Sequence, residues 1–235
     1  MRQLMKIIRF PMAYTSLKTL TFEEFLTQYR DNPRYELADG ELIDMEPTGP
    51  HETLRVRSRL RRETLLQRCL TVSGKLATYI GMALLTEKLP WFIPRTCLIR
   101  PFTDAATARR PDIVVLDETV LSSEPLWEQE PVITVGRSIK LVVEVVSTNW
   151  ETDYARKVEE YAILGIPEYW IVDYRGLGGI AFIGKPKQPT FTVCQLLGEE
   201  YTQEQYRLGQ PIRSPLLPNL QLRLNDILPR NIKSG

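Results

Sequence analysis

The run Leu141-Val142-Val143-Glu144-Val145-Val146 limits the fold more than any other stretch of this chain. Five aliphatic residues, four of them β-branched, read as a strand, and the lack of polar alternation reads as burial on both faces. Glu144 interrupts it. A lone carboxylate in such a strand is costly unless it is paired, protonated or bound to a metal.

The flanking sequence supplies partners for that strand. Residues 112–116, entered through Arg110-Pro111, form a second apolar strand able to pair antiparallel with 139–146. A helix from about Trp150 to Leu164, with Gly165 as its stop, leads to a third strand, Glu168–Asp173. That crossover suits a parallel pair. Upstream, Thr21 and Glu24 have the spacing of a capping box for a helix reaching about Tyr29. Arg34–Ala38 and Glu41–Met45 flank Asp39-Gly40, a strong hairpin signal. Residues 51–70 read as a helix, with strands near 79–88 and 96–101. Residues 117–137 read as a long loop, and 178–208 as a β-meander. The expectation is an α/β protein, a mixed α+β sheet flanked by helices. Residues 1–20 form a loosely attached arm and residues 21–230 a single domain.

Composition narrows the function classes. The chain has 235 residues, enough for a full core, with 43% hydrophobic and 25% charged residues. A net charge of +1 gives no global pull toward nucleic acid or membrane, so any nucleic-acid contact must come from a local patch. Arg55, Arg57, Arg59, Arg61, Arg62 and Arg68 form the one pronounced basic cluster; they suit phosphates or an ordinary solvated helix face equally. Three widely spaced cysteines, Cys69, Cys97 and Cys194, argue against a zinc site and fit a reducing cytoplasm. The basic and apolar N-terminus lacks the marks of a signal peptide. No apolar run approaches the ~20 residues of a membrane span. The single histidine, His51, weakens histidine-based metal sites and triads.

Chemistry concentrates on a few carboxylates. Asp112 opens one strand and Glu144 lies late in its antiparallel partner, so both can meet at one sheet edge. Two such carboxylates suit a hard divalent cation; otherwise Asp112 is a turn residue and Glu144 a satisfied ion pair. Asp153, Lys157 and Tyr161 share a helix face at i, i+4, i+8. By spacing alone Asp153 and Lys157 read first as a surface salt bridge, and otherwise as a lysine aimed at the Glu144 edge. Glu36 is either an extra acidic group at the site or a solvated hairpin charge. His51, at a helix start, is a general base, a phosphate contact or only a helix-start side chain.

"RYELADGELIDMEPTGPHE", "RRPDIVVLDE" and "LVVEVVSTNWETDYARKVEEYAILGIPEYWIVD" together resemble the Uma-two family of restriction-endonuclease-like proteins, over roughly residues 20–228. The resemblance implies the PD-(D/E)XK nuclease fold, an αβββαβ core, here with an added N-terminal hairpin and C-terminal β-meander. It implies a Mg²⁺ (or Mn²⁺) site held by Asp112, Glu144 and the carbonyl of Val145. It also implies DNA as substrate, hydrolysed at its phosphodiester bonds. Val146 stands where the lysine of the family pattern is expected, and Lys157 is the candidate replacement from the helix. Glu36 and His51 match polar positions near the catalytic site. The alternative is an inactive nuclease fold that binds DNA or acts as a scaffold. Nucleases of this type often dimerise, so a homodimer is expected, with Trp91, Phe92 and Ile93 or the C-terminal meander as candidate interface.

Overall fold

The structure, a computed structural model, describes residues 19–45, 55–102 and 106–229, with side chains of the long helix from residue 67 onward. The expected arm lies almost wholly outside these residues, and so does His51. Helix α1 (Phe22–Tyr29) starts as expected. The Thr21 hydroxyl accepts the Glu24 N–H at 3.1 Å, and the Glu24 carboxylate accepts the Thr21 N–H at 2.9 Å. Strands β1 (Tyr35–Ala38) and β2 (Glu41–Asp44) form the expected hairpin. Its turn places Asp39 at φ 53° and Gly40 at φ 79°, the left-handed pair that a tight two-residue hairpin demands.

Helix α2 (Arg55–Glu87) corrects two expectations. It is far longer than 51–70, and it absorbs all but the last residue of 79–88, which had read as a strand. Val72, Leu76, Ile80 and Leu84 recur every four residues and are all buried, so the period is helical. Within it, Gln67–Glu87 is long and apolar enough by length and composition to cross a membrane, contrary to the expectation that no run approaches a span. Here its buried stripe packs on the sheet core.

Strand β3 (Trp91–Phe92) follows. The strand expected at 96–101 shrinks to β4 (Leu98–Ile99), which pairs outside the main sheet with β6 (Val132–Ile133), a strand formed inside the expected loop. Between them runs β5 (Ile113–Asp117), and after them β7 (Ile139–Val145). A π-helical turn, Thr152–Arg156, runs into α3 (Lys157–Ile163), and β8 (Glu168–Asp173) comes next. Residues Ile180–Ile183 form a short helix, α4, ahead of β9 (Thr190–Leu197) and β10 (Glu200–Tyr206). Helix α5 (Leu224–Ile227) is the last element.

The main sheet has the order β10-β9-β8-β7-β5-β3. The β5–β7 pair is antiparallel and the β7–β8 pair parallel, as the sequence led us to expect. Strands β8, β9 and β10 continue as an antiparallel meander. The order α2-β3-β5-β7-α3-β8 is the expected αβββαβ core. One apolar cluster joins Leu141, Val143 and Val145 to α2, Trp170 and the C-terminal segment. The other joins Val142 and Val146 to Tyr161, Tyr169 and Ile171 beneath α3. Strand β7 is thus buried on both faces, and each aliphatic side chain it buries contributes about 1.5–3 kcal/mol.

Candidate active site

Strand geometry brings the two expected carboxylates to one edge. Ile113 lies opposite Val143 in the antiparallel register, so the residue before Ile113 approaches the residue after Val143. The Asp112 Oδ2 accepts the Val145 N–H at 2.8 Å, which fixes its carboxylate beside the end of β7. Side chains alternate across a strand, so Val142, Glu144 and Val146 share the α3 face. A lysine at 146 would therefore share the face of Glu144. Val146 is instead fully buried among apolar groups, and the ammonium arrives from the helix. Lys157 Nζ lies 2.9 Å from Glu144 Oε1, 3.2 Å from Asp153 Oδ1 and 3.7 Å from Glu36 Oε1. Lys157 is only 1% exposed, so the surface salt-bridge reading of Asp153–Lys157 is overturned. Tyr161, one turn on, donates its O–H to Glu144 Oε1 at 3.0 Å.

Glu36 is not a solvated hairpin charge either. It is 1% exposed, accepts the Arg110 N–H at 2.8 Å and faces the Arg109 guanidinium at 3.4 Å. Arg109 is the main group the sequence reading missed. It makes a two-pronged contact with Glu160, both bonds at 2.7 Å. Arg156 reaches Glu160 at 2.7 Å and Asp39 at 2.6 and 2.7 Å. The Arg156/Glu160 spacing of i, i+4 was the available signal. Nothing local marked Arg109, whose partners lie 51 and 73 residues away.

Charge is unbalanced at the centre of this network. Burial, then the negative charges of Asp153, Glu36 and Asp112, pushes the Glu144 carboxyl well above its ordinary range, against the pull of Lys157. Burial also raises Asp153, with Lys157 opposing. Asp112 is exposed to the cleft by surface area, yet protein surrounds it on its remaining sides. That desolvation pushes its carboxyl up to about 6, opposed by the Val145 N–H and by Lys157; water entering the cleft tempers the penalty. Burial alone would lower Lys157, but Glu144, Glu36 and Asp153 outweigh it and hold the ammonium well above its usual value. Tyr161 is raised by burial and by Glu144, so it stays protonated as a donor.

Glu36, Asp112, Glu144, Asp153 and Lys157 line a cleft of about 550 Å³ at the carboxyl ends of β7 and β8, a common place for ligands in sheets with parallel strands. A larger cavity, about 810 Å³, lies between β10 and the C-terminal segment but holds no such buried carboxylate set. Among the described residues, no three His, Cys, Asp or Glu side chains gather closely enough to hold a metal by themselves. A Mg²⁺ site does not need three. One or two carboxylates with waters and substrate oxygens are usual. Asp112 and Glu144 are hard oxygen donors facing the cleft beside Val145. The four carboxylates Glu36, Asp112, Glu144 and Asp153 act on one another electrostatically, with the Lys157 ammonium in their midst. The donor chemistry and the excess negative charge fit a divalent cation.

No curated protein matches the chain. The family model Uma2, described as "putative restriction endonuclease", matches residues 22–225. With nearly the whole chain covered and its fold in agreement, the protein belongs to the Uma2 family of restriction-endonuclease-like proteins.

Proposed function

We propose that the protein is a divalent-metal-dependent endonuclease that hydrolyses DNA phosphodiester bonds in the β7–β8 cleft. The observation that carries this reading is the approach of Lys157 to Glu144 from the helix, beside Asp112, on a face where Val146, just past β7, stands in place of the expected lysine. Asp112 and Glu144, with the carbonyl of Val145, would hold Mg²⁺ or Mn²⁺. When bound, such a cation lowers the pKa of a water and offsets negative charge on the phosphoryl oxygens. Lys157 keeps its proton and orients the attacking water or neutralises the phosphate. Tyr161 fixes the Glu144 carboxylate, and Glu36 and Asp153 hold Lys157 in place. His51 belongs to the proposal as a polar group near the site, outside the described residues. A cytoplasmic setting and action as a homodimer complete the reading.

The competing reading, a fold that binds or scaffolds without cutting, draws on one observation. Lys157 already satisfies Glu144, Asp153 and Glu36 without any cation. Supercoiled plasmid separates the two. The nuclease reading predicts Mg²⁺-dependent nicking that is lost in Asp112→Ala and Glu144→Ala. No nicking by the wild type, or equal nicking by the variants, overturns it.

A further inference from the structure

The cleft is lined by six cationic side chains, and five are committed. Lys157 and Arg109 are buried in ion pairs. Arg34 grips Asp44 at 2.9 and 2.5 Å. Arg110 donates to the carbonyls of Tyr35 and Arg30. Arg156 is held by Asp39 and Glu160. Arg175 is the exception: it is exposed, and its guanidinium makes no hydrogen bond or ion pair with any described residue.

The backbone that carries it is nonetheless fixed. Arg175 follows β8 in a turn built on the buried Asp173. That carboxylate accepts the Leu177 N–H at 2.9 Å and the Gly178 N–H at 2.7 Å. Gly176 sits at φ 69°, and a Cβ there would fall 2.9 Å from the Gln188 backbone. The preceding Tyr174 is buried, with its hydroxyl 3.7 Å from Cys69 Sγ on α2.

We infer that Arg175 is a backbone-phosphate anchor for nucleic acid in this cleft. This deepens the nuclease reading and rests on it. At the catalytic end the Lys157 ammonium is already held by Glu144, Asp153 and Glu36, so it is committed within the protein. A strand lying across the cleft needs a fixed cation beyond the reacting phosphate. A guanidinium matches phosphate with two parallel N–H bonds, and one without an internal partner gives up nothing to make them.

Titration of the full chain with a short fluorescent DNA duplex tests this, with metal chelated and again with Ca²⁺, over a range of salt. The expected result for Arg175→Ala is several-fold weaker binding in at least one condition, with unchanged melting temperature. Its plot of log affinity against log salt is shallower by about 0.9, one phosphate contact. Arg175→Lys keeps most of the slope. Equal affinity and slope for Arg175→Ala, or no wild-type binding in either condition, overturns the inference. Wild-type protein that binds DNA but never nicks plasmid overturns the nuclease reading alone, and the Arg175 comparison then stands on binding.

Discussion

At the scale of the residue, Lys157 answers two opposed demands. It is buried, which disfavours its charge, and it is surrounded by carboxylates that require it. Removing it strands Glu144 and Asp153 without their counter-ion, while Glu36 keeps Arg109, and breaking a buried pair in this way costs about 3–5 kcal/mol. Lys157→Ala should therefore lose both nicking and denaturant stability. Glu144→Gln combined with Lys157→Met should regain much of the stability and none of the nicking, which separates chemistry from folding. Recovery of nicking in the double variant would contradict the assigned roles. Tyr161→Phe removes only the O–H that holds Glu144. Loss of a group that orients a metal ligand typically costs 10- to 100-fold, so Mg²⁺ affinity by calorimetry should fall by about that factor. Asp112 sets the pH response. Burial pushes its carboxyl up from an ordinary 3.8 toward about 6, a shift tempered by water in the cleft, so within that range the folded protein holds a proton that the unfolded chain has released. Without divalent cation, the stabilisation from that proton is complete below about 3.8 and lost as pH rises through about 6. Melting temperatures of wild type and Asp112→Asn, compared over that range, should show the decline in the wild type alone. Nicking should rise over the same range, because a protonated Asp112 cannot hold a cation. More Mg²⁺ should move the midpoint to lower pH.

At the scale of the element, β7 and the helix after it were legible for a simple reason. An apolar run with one charge, followed by a helix with Asp153, Lys157 and Tyr161 on one face, leaves few ways to bury both. The sequence could not show that the helix opens with a π-helical turn, Thr152–Arg156, a local widening often found at functional sites. Helix α2 was misread for a physical reason as well. Residues 79–88 are mostly apolar, and a short apolar run does not separate a strand from a buried helix. The decisive signal was the wider spacing of Val72, Leu76, Ile80 and Leu84. Strand β8 carries a second buried carboxylate with a structural task. Glu168 accepts the Trp170 Nε1–H and the Ser214 hydroxyl, both at 2.6 Å, and the Leu216 N–H at 3.1 Å. It ties the C-terminal segment to the sheet. Glu168→Ala leaves two buried donors and one half-buried donor unmatched and should lower unfolding stability by about 3 kcal/mol. Mg²⁺ binding should be unchanged, since none of these contacts reaches the cleft. An equally stable variant would show that the tie is dispensable.

At the scale of the whole molecule, the sheet gathers side chains that lie far apart in the chain. Glu36 from the hairpin, Asp112 before β5, Glu144 on β7 and Lys157 on α3 meet where β7 and β8 end. Asp112 and Glu144 could be named as candidates because each sits in a recognisable strand, whereas Lys157 reads by spacing first as a surface pair and is singled out by the family resemblance. The burial of Glu36 and the Arg109–Glu160 link could not be read from the sequence, because both depend on how the hairpin docks against the sheet. This meeting point should hold one divalent cation. A crystal soaked in Mn²⁺, with the metal located by anomalous scattering, tests that most directly. The predicted result is one ion contacting both Asp112 and Glu144, with Lys157 on the same cleft wall. An empty cleft at saturating Mn²⁺, with Lys157 still closed onto Glu144, would contradict it.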